Sequence, residues 1–157
     1  MQDISRTQTA VNPTEGDHLP WGWVALAVVG LEIALVLSAF VWVAIYSYLV
    51  NPGHNLPYYQ QHAEFASPLV SVAVGIPYFF FACRRIGRKA GTRAVATSLW
   101  VWFILFISDV LLLLVGDPDA YNGLMVALSH ATKMPAAYFG GKAALSDALR
   151  LRRAVVT

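Results

Sequence analysis

The sequence predicts an all-α integral membrane protein: four transmembrane helices in an up-and-down bundle, with both termini in the cytoplasm. Three observations predict it. Hydrophobic residues make up 57% of the 157 residues and charged residues only 13%, about half the charged share of an ordinary soluble domain. Long apolar runs recur along the chain. Nearly all lysines and arginines fall where a four-span chain exposes them to one side.

Residues 1–20 are polar, with Asp3, Arg6, Glu15 and Asp17 among them and Pro13, Gly16 and Pro20 interrupting any periodicity. They read as a flexible cytoplasmic tail rather than a signal peptide, which needs a basic start and an early apolar run. The membrane domain is expected over 21–147. Its first span, 21–50, is interrupted by one charge, Glu32. A span needs roughly 20 apolar residues, so this one is long enough to tilt or project. Trp21 and Trp23 at one end and Tyr46 and Tyr48 at the other suit the two interfaces.

Asn51-Pro52-Gly53 stops that span, and His54–Ser67 reads as a polar, aromatic loop or a short helix on the membrane surface. The second span is expected over 67–84, with Pro77 kinking it. The basic loop Arg84–Arg93 follows, and then the third span, 94–115, whose only charge is Asp109. Gly116-Asp117-Pro118-Asp119 reads as a turn. The fourth span, 121–145, is the least apolar and carries His130, Lys133 and Pro135, and 148–157 is a basic cytoplasmic tail.

Orientation follows from the eleven lysines and arginines. Arg6, the five in the Arg84–Arg93 loop, Lys142 and the arginines at 150, 152 and 153 share one side. The opposite loops hold none, and Lys133 lies inside a span. The basic side is therefore cytoplasmic, and the compact form points to a bacterial cytoplasmic membrane. Small residues at four-residue spacing mark contact faces: Gly30, Ala34 and Ser38; Ser67, Ser71 and Gly75; Ala136, Gly140 and Ala144, with Ala137 and Gly141 beside them. The first stripe lies nearly opposite Glu32, so two specialised faces on one helix point to a homo-oligomer or a membrane partner subunit.

Ionisable groups at membrane depth cost roughly 2.5–3.5 kcal/mol on insertion scales, and so face the interior and pair. The 1.5 Å rise per residue puts Glu32 roughly 15 Å from the cytoplasmic end of its span and Lys133 roughly 18 Å from either end of its own. An ion pair between them is expected. Asp109 lies roughly 9 Å below the outer surface and His130 roughly 13 Å, so these two are expected to hydrogen-bond, with Ser108, Ser129 and Thr132 completing a network. Glu32, Asp109, His130 and Lys133 form the candidate intramembrane polar site. Acid, imidazole and amine groups exchange protons when neighbours tune them, so ion, proton or small-solute passage is the first functional expectation. The competing explanation is that two salt-bridged pairs fix helix register and nothing moves.

A second expectation is an accessory or assembly subunit of a larger membrane complex. A third is a membrane enzyme or metal-binding protein using His54, His62 and Glu64 on the outer face, with Asp117 and Asp119 nearby, since imidazole and carboxylate suit zinc or another divalent metal. No P-loop, nucleophile elbow or dinucleotide fingerprint is present. With Cys83 the only cysteine, thiol-oxidising chemistry, which needs cysteine pairs, is excluded. His130 as the only histidine well inside argues against a haem bundle. The basic loop sets topology and meets anionic headgroups, which makes the lipid bilayer, not nucleic acid, its partner.

Overall fold

The computed structural model describes residues 19–115 and 123–156, with side chains to residue 150. The tail over 1–18, the Gly116–Asp119 turn and the start of the fourth expected span at Tyr121 lie outside the described residues. Among the described residues the chain is helical, without strands: α1 spans Trp21–Ile45, α2 Leu56–Ala90, α3 Ala94–Val115 and α4 Gly123–Val156. Two stretches, Trp21–Val50 and Leu56–Val115, are long and apolar enough to cross a membrane. The second folds back on itself, since it contains both α2 and α3.

α1 runs into one π-helical turn, Tyr46–Val50, and ends at Asn51. Gly53 then takes a positive φ of 91°, which glycine adopts without a Cβ penalty. Asn55 caps α2 by accepting the Tyr58 N–H, and Pro57 sits in the first turn, where its missing donor costs nothing. The connection is tied by side chains: Asn51 Nδ2 donates to the Tyr58 hydroxyl at 2.8 Å and Tyr59 donates to the Asn51 carbonyl at 2.9 Å.

One sequence expectation differs from the structure. The segment after His54 is not a separate surface element, because residues 56–66 are the first turns of the same 35-residue helix that holds the expected second span. Pro68 and Pro77 lie inside this helix without ending it. A helical proline removes one donor, and just before Pro68 the Ser67 hydroxyl donates to the Ala63 carbonyl at 2.6 Å. The basic segment from residue 148 is helical and continues α4 to Val156. α2 ends at Gly91, φ 58°, and one 3₁₀ turn, Gly91–Arg93, reverses the chain into α3.

α2 against α4 is the most extensive contact, followed by α3 against α4; α1 rests on α2 and α3 and makes little contact with α4. Adjacent glycines set the α4 contacts. A Cβ on Gly140 would stand 2.5 Å from the Phe80 carbonyl oxygen of α2, and one on Gly141 2.9 Å from the Val95 Cα of α3. Successive helical residues point about 100° apart, from 3.6 residues per turn, so the pair serves two neighbours at once. Ala137 and Ala144 are fully buried beside them, with Phe79, Cys83, Val101 and Leu105. Outside this narrow core the helices present apolar side chains outward, among them Leu26, Ile33, Leu37, Phe40, Leu111 and Leu128.

At the α2 C-terminus, Arg84 and Arg88 both reach Asp147 of α4, at 3.0 and 2.8 Å. Arg88 first and Arg84 second hold the Asp147 carboxyl below the usual carboxylate range.

Gly140→Ala is expected to cost about 1–3 kcal/mol of stability, the scale of overpacking, because its Cβ meets backbone. Gly30→Ala, whose Cβ would meet nothing within 4 Å, should leave the melting temperature of the purified protein unchanged. Asp147 gives a pH signature. Its folded pKa is depressed, so its stabilisation is complete above the unfolded value of about 3.9 and fades as the pH falls below it. Asp147→Asn should melt earlier than wild type at neutral pH, and the two melting temperatures should converge as the pH falls through the lowered Asp147 value.

Candidate functional site

The site is built where α2 meets α4. Lys133 stands one helical turn before Ala137 on the α4 face that packs inward, and is 1% exposed. Its Nζ donates to the Ser71 hydroxyl at 2.9 Å, and Ser71 Oγ lies 3.3 Å from Ser129 Oγ of α4. Gly75 is one turn beyond Ser71. A Cβ there would stand 2.8 Å from Lys133 Cε, so the missing side chain makes the lane for the lysine stem. One turn further, the buried Phe79 ring has its centroid 5.8 Å from Nζ. Ser71, Gly75 and Phe79 thus form a ladder at four-residue spacing on α2, and the lysine lies along it.

His130 shares the Lys133 face, three residues away, and is 2% exposed. Its Nε2 lies 2.7 Å from Asp109 Oδ2 of α3. With the carboxylate as acceptor, the imidazole keeps its proton on Nε2. Trp102 Nε1 donates to the His130 carbonyl at 3.1 Å, and the Phe106 ring stands edge-on to the imidazole at 5.2 Å. His130 Nδ1 is buried and makes no hydrogen bond.

Glu32, on α1, does not form the expected ion pair. Its Oε1 is buried without a hydrogen-bond partner, and the Lys133 amine is turned to Ser71 instead. The reason is the packing: α1 makes little contact with α4, while Ser71 and the Gly75 lane bring the amine onto α2. The carboxyl still lies within electrostatic reach of Asp109, Lys133 and His130. All four expected residues therefore share one electrostatic neighbourhood, containing one closed pair, Asp109–His130, and one open pair, Glu32 and Lys133.

Of the expected hydroxyls, Ser129 joins the network through Ser71, Thr132 turns back to the Ser129 carbonyl at 2.8 Å, and Ser108 takes no part. Ser71 and Gly75 were expected only as contact residues. Their role was readable in one respect: a small-residue ladder on one helix is where a long side chain from its neighbour can lie.

The outer metal grouping is corrected. His54 hydrogen-bonds Asn51 through Nε2 at 3.2 Å and stacks on Tyr58, with centroids 4.2 Å apart. His62 stacks on Tyr46 with centroids 3.5 Å apart, and Glu64 is exposed. Because this segment is helical, His62 and Glu64, two residues apart, point to different faces. Asp117 and Asp119 lie outside the described residues, and among the described residues no three His, Cys, Asp or Glu side chains converge to hold a metal ion. Cys83 is buried, with its thiol 3.8 Å from the Ser98 carbonyl, in a packing role. No protein family, no curated protein and no solved structure matches this chain.

Proposed function

We propose that the chain crosses a bacterial cytoplasmic membrane four times, with both ends inside, and passes a proton, ion or small solute through the polar site. The two long apolar stretches, the outward apolar side chains of α1, α3 and α4 and the one-sided lysines and arginines support the membrane reading. Such a continuous apolar surface is rare on a monomer in water. The spans correspond to α1, the part of α2 near 67–84, α3, and the part of α4 up to about residue 145. Four helices leave little room for a wide aqueous path, so the reading includes assembly with further copies or a partner subunit.

One observation carries the passage reading: the open Glu32 and Lys133 pair. Two groups that only fixed helix register would be closed onto each other, as Asp109 and His130 are. Here the carboxyl lacks a hydrogen bond while the amine rests on a neutral hydroxyl. Lysine is a compact charge on a flexible stem, and Gly75 leaves that stem unobstructed. The protonated amine can move from Ser71 to the Glu32 carboxylate and pass it a proton, which leaves a neutral carboxylic acid and a neutral amine able to take up the next proton. His130 keeps one nitrogen on Asp109 and leaves Nδ1 as the next acceptor.

Purified protein in liposomes tests this directly. Wild type should dissipate an imposed proton or ion gradient. Glu32→Gln and Lys133→Met should each lower the flux by about tenfold or more, the scale of losing one proton-transfer group, while remaining folded. Absence of wild-type flux across a series of ions and pH gradients would overturn passage in favour of an accessory subunit with structural charges.

A further inference from the structure

The last turns of α2 carry four cations as two pairs at four-residue spacing. Arg84 and Arg88 share Asp147. Arg85 and Lys89 occupy a different face and pair with no acid among the described residues. Arg85 is exposed and makes no hydrogen bond or ion pair with a described residue. Lys89 Nζ sits 3.1 Å from the centroid of the Trp23 ring, an attraction that leaves its charge unneutralised.

Below this unpaired couple lies an open apolar groove of about 330 Å³ between α1 and α2, with Arg85 and Lys89 in its wall. Leu26, Gly30, Leu31, Tyr78, Phe81 and Ala82 are among the other lining residues. The groove exists because the two helices do not meet at Gly30, where a Cβ would find nothing within 4 Å. Ser38 and Tyr78 link the helices farther along, with their hydroxyl oxygens 3.1 Å apart. From Tyr78 to Lys89 the helical rise spans about 16 Å, close to half of the roughly 30 Å hydrocarbon thickness. The slot is therefore one leaflet deep, and its cationic end lies at the cytoplasmic surface.

We infer that this groove binds one anionic phospholipid, with the phosphate on Arg85 and Lys89 and an acyl chain along Leu26, Gly30 and Phe81. The inference rests on the membrane reading above. Charge decides the occupant: a cation pair with no acid among the described residues, set over an apolar slot, is complementary to an anionic headgroup joined to a hydrocarbon chain. A second copy of this chain, inserted in the same direction, would bring its own Arg85 and Lys89 to the same level, and like charges would oppose the contact.

The test is native mass spectrometry of the detergent-purified protein after incubation with mixed micelles of phosphatidylglycerol and phosphatidylcholine in equal amounts. Wild type should retain one phosphatidylglycerol in preference to phosphatidylcholine. Arg85→Gln combined with Lys89→Gln should reduce that preference by about tenfold to thirtyfold, as expected for two cations at a membrane surface. Gly30→Leu, whose Cβ meets nothing within 4 Å and whose side chain extends into the groove, should abolish retention of the lipid. Equal retention of the two lipids, or retention unchanged in either variant, would overturn the inference. So would a dimer mass in wild type that Gly30→Leu removes, which would assign the groove to a second copy. Alkaline carbonate extraction of cell membranes separates the two readings. Extraction of wild type would overturn the membrane reading itself, whereas resistance to extraction with no lipid preference would overturn only the lipid site.

Discussion

The organisation of the bundle depends on one costly group, the Lys133 amine, held at 1% exposure with a single serine hydroxyl as its direct partner. A buried charge is tolerated only with hydrogen bonds and nearby opposite charge. That requirement explains the features around it. α2 must offer a hydroxyl at 71 and no side chain at 75. α4 must approach closely, which its Gly140 and Gly141 permit. Acidic groups from α1 and α3, Glu32 and Asp109, must lie near enough to act on it, and both do. Each of the four helices thus contributes a named element to one polar centre inside an otherwise apolar assembly.

The centre is asymmetric. Asp109 and His130 are closed at 2.7 Å, and the imidazole is further held by Phe106 and by the Trp102 bond to its backbone. That half is rigid. The other half has an amine resting on one serine hydroxyl and a carboxyl oxygen without a hydrogen bond. The proton passage proposed above uses that asymmetry: the Lys133 amine moves while the Asp109–His130 pair holds its orientation.

Much of this was legible in the sequence, for a physical reason. Charges inside apolar runs point Glu32, Asp109, His130 and Lys133 inward; His130 and Lys133 are buried and Glu32 and Asp109 half-buried, and the 1.5 Å rise puts Asp109 and His130 within reach of each other. The choice of partner for Lys133 was not legible. Depth along a helix axis says nothing about which neighbour lies across the contact, and Ser71 lies nearer than Glu32 because α4 packs on α2 and hardly at all on α1. The extent of α2 was also misjudged. Polar residues 56–66 read as a loop or a separate short helix because hydropathy reports apolar character rather than helicity, while the Asn55 cap and Pro57 already mark the start of one long helix. His62 and Glu64 lost their place as shared ligands with that change, since helical geometry turns them apart.

The central claim is that the Glu32 carboxyl gains and loses a proton beside Lys133. Infrared difference spectroscopy of the protein in lipid, titrated with pH, reads it most directly. The account predicts a protonated-carboxyl stretching band that titrates in wild type, disappears in Glu32→Gln, and titrates at a different pH in Lys133→Met. A spectrum with no titrating carboxyl band, or one unchanged by Glu32→Gln, would contradict the account and leave the buried charges as fixed structural elements.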